Sequence, residues 1–360
     1  MKNLWNLITH RPLAILILAL PLAILAEMLH WGEVFVFILS AVSIIPMAQF
    51  IGEATEALAN YTGPRIGGLL NATLGNAAEL IITIMAIREG LLELVKASIA
   101  GSILGNLLLV MGLAMVFGGV RHGVQTFDRR QASRNAILLI LAVMALVIPS
   151  LFSHYLGAET SVRVESLSIG VAVIMLIIYG LGLLYSLKSE RQAIVEKHTG
   201  DDLHVPAWSI RKSLVVLGLA TGGVVVASEL LVSAVEPVVV SLGISEFFVG
   251  IILIPIIGNA AEHLVAVKVA MQNKMDLSVE ITVASSLQIA LFVAPVLVFI
   301  SLFMGNPMQL IFNELELIAL IAGVIIAAMI SEDGESNWLE GSELFAVYII
   351  LALAFLLLPV

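Results

Sequence analysis

The chain has 360 residues, of which 60% are hydrophobic and 12% charged, where soluble domains carry ~25% charged residues. A mean hydropathy of +1.08 excludes a soluble enzyme or a disordered regulator. A net charge of −10 with pI near 5.2 excludes a nucleic-acid partner, because no basic surface is left to neutralise phosphates.

A membrane helix needs ~20 mostly apolar residues. Eleven stretches qualify: 12–29, 34–60, 66–87, 91–118, 135–152, 164–187, 213–236, 245–270, 277–303, 312–330 and 341–359. The first lacks a small-residue cleavage site and runs into a second span, so it reads as a retained helix. With the N-terminus cytoplasmic, the inside segments hold Lys2, Arg11, Arg65, Arg121, Arg129, Arg130, Arg134, Lys188, Arg191, Lys197, Arg211, Lys212, Lys268 and Lys274. The outside segments hold Arg88, Lys96 and Arg163. That asymmetry predicts a cytoplasmic N-terminus, an external C-terminus and an odd number of spans in a cell membrane. The chain has no cysteine, which rules out disulfides, thiol chemistry and iron–sulfur sites.

The word GNAAE occurs twice, at Gly75–Glu79 and Gly258–Glu262, an offset of 183 residues. Ser102 and Ser285, on the apolar helix after each copy, keep the same offset. Upstream, each half carries a carboxylate pair, Glu53 with Glu56 and Glu229 with Glu236. A gapless alignment pairs Glu53 with Glu236; matching the Thr-Glu and Ser-Glu words pairs Glu56 with Glu229. The first GNAAE helix runs outward and the second inward. The expected fold is thus all-α and membrane-integral, with eleven transmembrane helices. A helix over 1–30 precedes a five-helix repeat over 31–187, a cytoplasmic linker over 188–212, and an inverted five-helix repeat over 213–360. Inverted repeats with polar motifs at the midplane are a mark of secondary transporters.

Glu79 stands fourteen residues past Arg65 and nine before Arg88, which places it roughly 13–21 Å from either boundary at 1.5 Å per residue. Glu262 is similarly deep. A bare carboxylate at that depth costs several kcal/mol; with no Lys or Arg near it on the same span, it must bind a cation, a proton, or each in turn. Asn76 with Glu79, and Asn259 with Glu262, are i, i+3 pairs on one helical face. Gly75, Gly258 and Pro255 predict breaks that expose carbonyls to a cavity. The expected cation and proton site comprises Glu79, Glu262, Asn76, Asn259, Ser102 and Ser285, with some backbone carbonyls. The two carboxylates serve as Ca²⁺ ligands, because hard oxygen donors and a charge of −2 suit that ion. In the emptied site, mutual repulsion drives proton uptake. Glu53, Glu56, Glu229, Glu236 and Asn106 are candidates for the access path. Ser102, Ser285, Asn106 and Gln288 equally suit hydrogen bonding between helices, and Gly67, Gly68, Gly101 and Gly105 suit close helix packing. No catalytic residue and no cofactor is expected. A nucleotide-driven pump is excluded by the lack of GxxxxGK[ST], and HExxH and GxSxG are absent too.

The segments GNAAELIITIMAIREGLLELVKASIAGSILGNLLLVMG and GNAAEHLVAVKVAMQNKMDLSVEITVASSLQIALFVAP resemble the two signature repeats of the cation/proton exchanger (CAX) branch of the Ca²⁺/cation antiporter superfamily. TEALANYTGPRIGGLLNATLGN, SEFFVGIILIPIIGN and SEDGESNWLEG extend the likeness to nearly the whole chain. The resemblance implies a ten-helix inverted-repeat core with one N-terminal helix, frequent assembly as a homotrimer, and exchange of cytosolic Ca²⁺ for external H⁺. It matches Glu79 and Glu262 to the family's central carboxylates, Asn76 and Asn259 to the adjacent amides, and Ser102, Ser285 and Gln288 to the facing polar residues. The alternatives within transport are Na⁺/Ca²⁺ exchange and broader divalent cation/H⁺ exchange. The linker mixes acidic and basic residues, unlike the acidic segment of many relatives. The run Glu332, Asp333, Glu335 reads as a solvated loop or a Ca²⁺-attracting one.

Overall fold

A computed structural model describes residues 12–157, 161–196 and 208–358. Lys2, Arg11 and Lys197, and positions 197–207 of the expected linker, lie outside the described residues. A 3₁₀ turn over Pro12–Leu18 leads into α1 (Ala19–Met28). The first half continues with α2 (Glu33–Leu74), α3 (Ala77–Arg88), α4 (Leu92–Leu104), α5 (Met111–His122), α6 (Arg129–Leu156) and α7 (Val162–Glu196). The second contains α8 (Ile210–Ser233), α9 (Val235–Leu242), α10 (Glu246–Phe248), α11 (Ile254–Ala270), α12 (Met275–Gln288), α13 (Ala294–Met304), α14 (Glu314–Ile330) and α15 (Trp338–Leu356). Polar caps start several of these helices. Asp128 accepts from the amides of Arg130 and Gln131, and Asn313 and Asn337 each form a capping box with a glutamate three residues on.

Eight described helices are long and apolar enough to cross a membrane. The three other expected spans take different forms. Residues 12–29 carry a shorter apolar helix over Ala14–Met28, residues 66–87 are interrupted, and α14 has 17 residues. The helix α2 has 42 residues but is not a rod. A Cβ placed on Gly67 would stand 2.9 Å from the carbonyl oxygen of Ala59, whereas eight residues of straight helix would separate them by ~12 Å. The chain therefore doubles back between these residues, where Gly63 and Pro64 interrupt the sequence. α7 continues to Glu196, into the expected linker.

Among the described residues three segments are π-helical: Gly105–Val110 between α4 and α5, Val249–Leu253 between α10 and α11, and Ile289–Val293 between α12 and α13. The first and third follow Ser102 and Ser285 at nearly the same distance. Such turns cluster at functional sites. Glycines let helices meet closely. A Cβ on Gly101 would lie 2.0 Å from the Ile251 carbonyl oxygen, and one on Gly341 would lie 2.6 Å from that of Gly112. Gly105 departs from the packing expectation, because nothing lies within 4 Å of its Cβ position. It opens a π segment instead.

Loops assigned to the inside by the charge count meet one another. The two-residue strands β1 (Gln125–Thr126) and β2 (Glu335–Ser336) pair antiparallel, with Gln125 opposite Ser336. They are the non-helical exception to the all-α expectation among the described residues, and they tie down the acidic Glu332–Glu335 run. The Gln125 amide also donates to the carbonyl of Ala270 and to Asn273. At the other end, Asn306 donates to the carbonyl of Ile87 at 2.8 Å, and Arg88 pairs with Glu229.

Candidate functional site

The two motifs face each other across the middle of the bundle but are not built alike. In the first, the helix stops at Leu74, Gly75 and Asn76 form a turn, and Glu79 sits in the first turn of α3. In the second, Gly258, Asn259 and Glu262 all lie inside the unbroken α11. The break expected at Gly258 is absent. Pro255 stands just past the π segment Val249–Leu253, whose wider turn accommodates its missing N–H without a break. The motif glycines have another role. A Cβ on Gly258 would lie 3.0 Å from Cγ of Glu79, and one on Gly75 would lie 3.7 Å from Oε1 of Glu262. Each half thus presents a bare backbone against which the other half's carboxylate packs.

Hydrogen bonds cross between the halves and orient the amides. Asn76 Nδ2 donates to Gln288 Oε1 at 2.6 Å, and Asn259 Nδ2 donates to Ser102 Oγ at 3.1 Å. Asn106 Nδ2 donates to Ser285 Oγ at 3.0 Å, and the Ser285 side chain interacts with the Glu262 carboxylate. With their nitrogens engaged, Asn76 and Asn259 are left with free amide oxygens. Among the unpartnered buried oxygens of the described residues, four belong to the two motifs: Asn76 Oδ1, Glu79 Oε2, Asn259 Oδ1 and Glu262 Oε2. The Nε2 of His263, beside Glu262, is also unpartnered. An unsatisfied buried polar atom costs about 1–3 kcal/mol, a cost that a ligand on these two amide and two carboxylate oxygens would relieve. Their chemistry fits a hard divalent cation.

Glu79 is 4% exposed. Glu262 borders a cavity of about 750 Å³ also lined by Gln49, Glu53, Glu56, Asn60 and Asn71. Of the four expected access carboxylates, Glu53 and Glu56 line this cavity, and Gln49 donates to Glu53 at 2.9 Å. Glu229 and Glu236 do not line it. Glu229 is exposed and pairs with Arg88 at 2.8 Å, and Glu236 is exposed on α9. The sequence reading overlooked Arg88 as a partner, because the two residues lie 141 positions apart. It also overlooked a buried ionic group. Lys96, on α4, pairs with Glu93 and acts electrostatically on Glu316, which is 1% exposed at the start of α14.

The family described as "Sodium/calcium exchanger protein" matches residues 32–188 and 212–357. A "Ca(2+)/H(+) antiporter" of Aphanothece halophytica is 47% identical over 96% of this chain and 96% of its own. The "Ca(2+)/H(+) antiporter ChaA" of Bacillus subtilis (strain 168) is 44% identical over 94% and 96%. Among solved structures, native YfkE superposes with a TM-score of 0.84 at 42% identity, covering 96% of this chain and all of that one. A structure titled as the H⁺/Ca²⁺ exchanger CAX shares the fold, with a TM-score of 0.72 at 15% identity over 96% and 91%. The chain is an integral membrane protein of the sodium/calcium exchanger family and belongs to its cation/proton exchanger branch.

Proposed function

We propose that this protein is a secondary active antiporter that exchanges cytosolic Ca²⁺ for external H⁺ at the Glu79–Glu262 site. The observation that carries this reading is the set of four buried, unpartnered oxygens of Asn76, Glu79, Asn259 and Glu262. Two carboxylates balance a divalent charge, and the amide oxygens add neutral ligands. The relatives named above are called Ca²⁺/H⁺ antiporters, which supports both substrates and a transporter rather than an enzyme.

The reading includes eleven spans in two inverted halves, 31–187 and 213–360, with a helix over 1–30 and a cytoplasmic linker over 188–212. The N-terminus is cytoplasmic and the C-terminus external. Ca²⁺ enters from the cytosol through the cavity, passes Glu53 and Glu56, and reaches Glu262 first, since that carboxylate borders the open space. Glu79 then completes the site. After the access path switches, external protons neutralise the carboxylates and the cation leaves. Carrying protons back returns the site to the cytosol.

Ca²⁺ flux in sealed proteoliposomes tests this, first under a pH gradient without Na⁺ and then under a Na⁺ gradient at equal pH. Flux driven by the pH gradient and lost in Glu79→Gln and Glu262→Gln is expected. Flux that needs Na⁺ would refute proton coupling, and wild-type exchange in either variant would remove the two-carboxylate site.

A further inference from the structure

The two sides of the carboxylate site are unequally open. On the cavity side, Val265 is 47% exposed and Leu277 is 43% exposed, and both line the cavity together with Ile281. Their counterparts at the 183-residue offset are Ile82, Leu94 and Ser98. These are 1%, 1% and 2% exposed. The same positions that open the cavity in one half are sealed in the other.

The ion pair of Arg88 and Glu229 stands over that sealed side. Arg88 ends α3, nine residues beyond Glu79 and away from the cavity residues Asn71 and Gly75. Its guanidinium bonds Glu229 of α8 at 2.8 Å and its neighbour Glu89 at 3.1 Å. The end of α3 is itself fixed, because the Ile87 carbonyl accepts from Asn306. The residues before the two glutamates make a further match. Thr55 precedes Glu56 and Ser228 precedes Glu229, on α2 and α8, which pack along each other. Both hydroxyls are completely buried and neither has a partner. The shared environment favours pairing Glu56 with Glu229 over pairing Glu53 with Glu236. Yet Glu56 faces the cavity, while Glu229 is held by Arg88.

We infer that Arg88 and Glu229 form the external latch of the transport cycle. The pair holds α8 to the fixed end of α3 while the cytosolic cavity is open. Release lets α8 slide and presents Glu229 to the external path, as Glu56 is presented to the cavity now. The inference rests on the alternating-access reading above. An exposed pair of this kind suits a latch better than a lock, because it is weak enough to break in every cycle.

The natural absence of cysteine allows a direct test. Ser98→Cys places one thiol on the sealed path, and Leu94→Cys serves if the first variant does not fold. In right-side-out vesicles under Ca²⁺ and pH gradients, labelling by a membrane-impermeant methanethiosulfonate from outside reports opening. Arg88→Gln and Glu229→Gln are each expected to raise the labelling rate about 1.4- to 5-fold, the factor that ~0.2–1 kcal/mol makes at 1.4 kcal/mol per decade. Exchanging the charges, Arg88→Glu with Glu229→Arg, should return it to the wild-type rate. Labelling that occurs but is unchanged by Arg88→Gln overturns the latch and leaves alternating access standing. No labelling in any background, under any gradient, overturns alternating access and the latch with it.

Discussion

The substitution Gly258→Ala separates the ion site from the stability of the fold. The added Cβ would stand 3.0 Å from Cγ of Glu79, 3.4 Å from its Cδ and 3.6 Å from its Oε1. Restoring an ordinary contact of 3.4 Å at Cγ requires the Glu79 side chain to move by about 0.4 Å. Ca²⁺–oxygen distances fall in a window of roughly 2.3–2.6 Å, which is narrower than that shift. Overpacking of this kind costs about 1–3 kcal/mol. Because Glu79 can yield when the site is empty, the cost falls on the bound state and raises the apparent KM for Ca²⁺ about 5- to 150-fold. The fold moves the other way, since Gly258 lies inside α11 and alanine stabilises a helix interior by ~0.8–1 kcal/mol. The expected signature is weakened Ca²⁺ uptake in proteoliposomes and weakened Ca²⁺ titration, with an unchanged or higher Tm in detergent. Gly101→Ala is the contrast. Its Cβ would meet the Ile251 oxygen at 2.0 Å and carbon at 2.6 Å, both of them backbone atoms that cannot yield, so loss of folded protein is expected. A Gly258→Ala protein with wild-type KM would refute the cross-packing of carboxylate on glycine as a determinant of the site.

Three further outcomes are expected. Asn106→Ala removes the donor to Ser285, whose side chain interacts with the Glu262 carboxylate. One lost hydrogen bond of ~1 kcal/mol should raise KM for Ca²⁺ about 5-fold in flux assays, and an unchanged KM would make Asn106 a packing residue. Lys96→Met leaves buried Glu316 without its countercharge. Lys96 bridges to Glu93 and acts on Glu316 only electrostatically, so Tm should fall modestly, and Lys96→Met combined with Glu316→Gln should recover part of it. Finally, a carboxylate must be deprotonated to ligate a cation. Ca²⁺ affinity should therefore weaken as the pH falls, with protons released on binding, as calorimetry in buffers of different ionisation enthalpy would report. A pH-independent affinity would refute competition at one site.

The spans and the paired motifs were legible because both are local patterns. Apolar runs and a duplicated five-residue word need no knowledge of tertiary contacts. Glu79 and Glu262 stood out because a carboxylate at that depth has few physical explanations. Other features depend on contacts across long sequence distances. Arg88 is drawn to Glu229 on another helix, and Asn106 reaches Ser285 across the bundle. The fate of the glycines was also hidden. A glycine that breaks a helix, as at Gly75, and one that stays inside it to admit a neighbour, as at Gly258, look identical in the sequence. The π segments leave no compositional mark either, since Gly105–Val110 and Ile289–Val293 read as ordinary apolar helix.

The matched π segments carry a consequence for how such a helix can change. Each adds a residue to a turn, and a residue is worth ~100° of rotation in a 3.6-residue helix. The stretch bearing Ser98 and Ser102 is thereby set out of phase with the stretch beyond Met111, and Ser285 and Gln288 are likewise set out of phase with the stretch beyond Ala294. The polar and apolar halves of one span become independent in azimuth. A one-residue insertion or deletion elsewhere in the span would turn polar side chains toward lipid. Inside the π segment the same change only tightens or loosens a single coil. The duplicated halves have room there to diverge in length while their polar side chains keep the same aim.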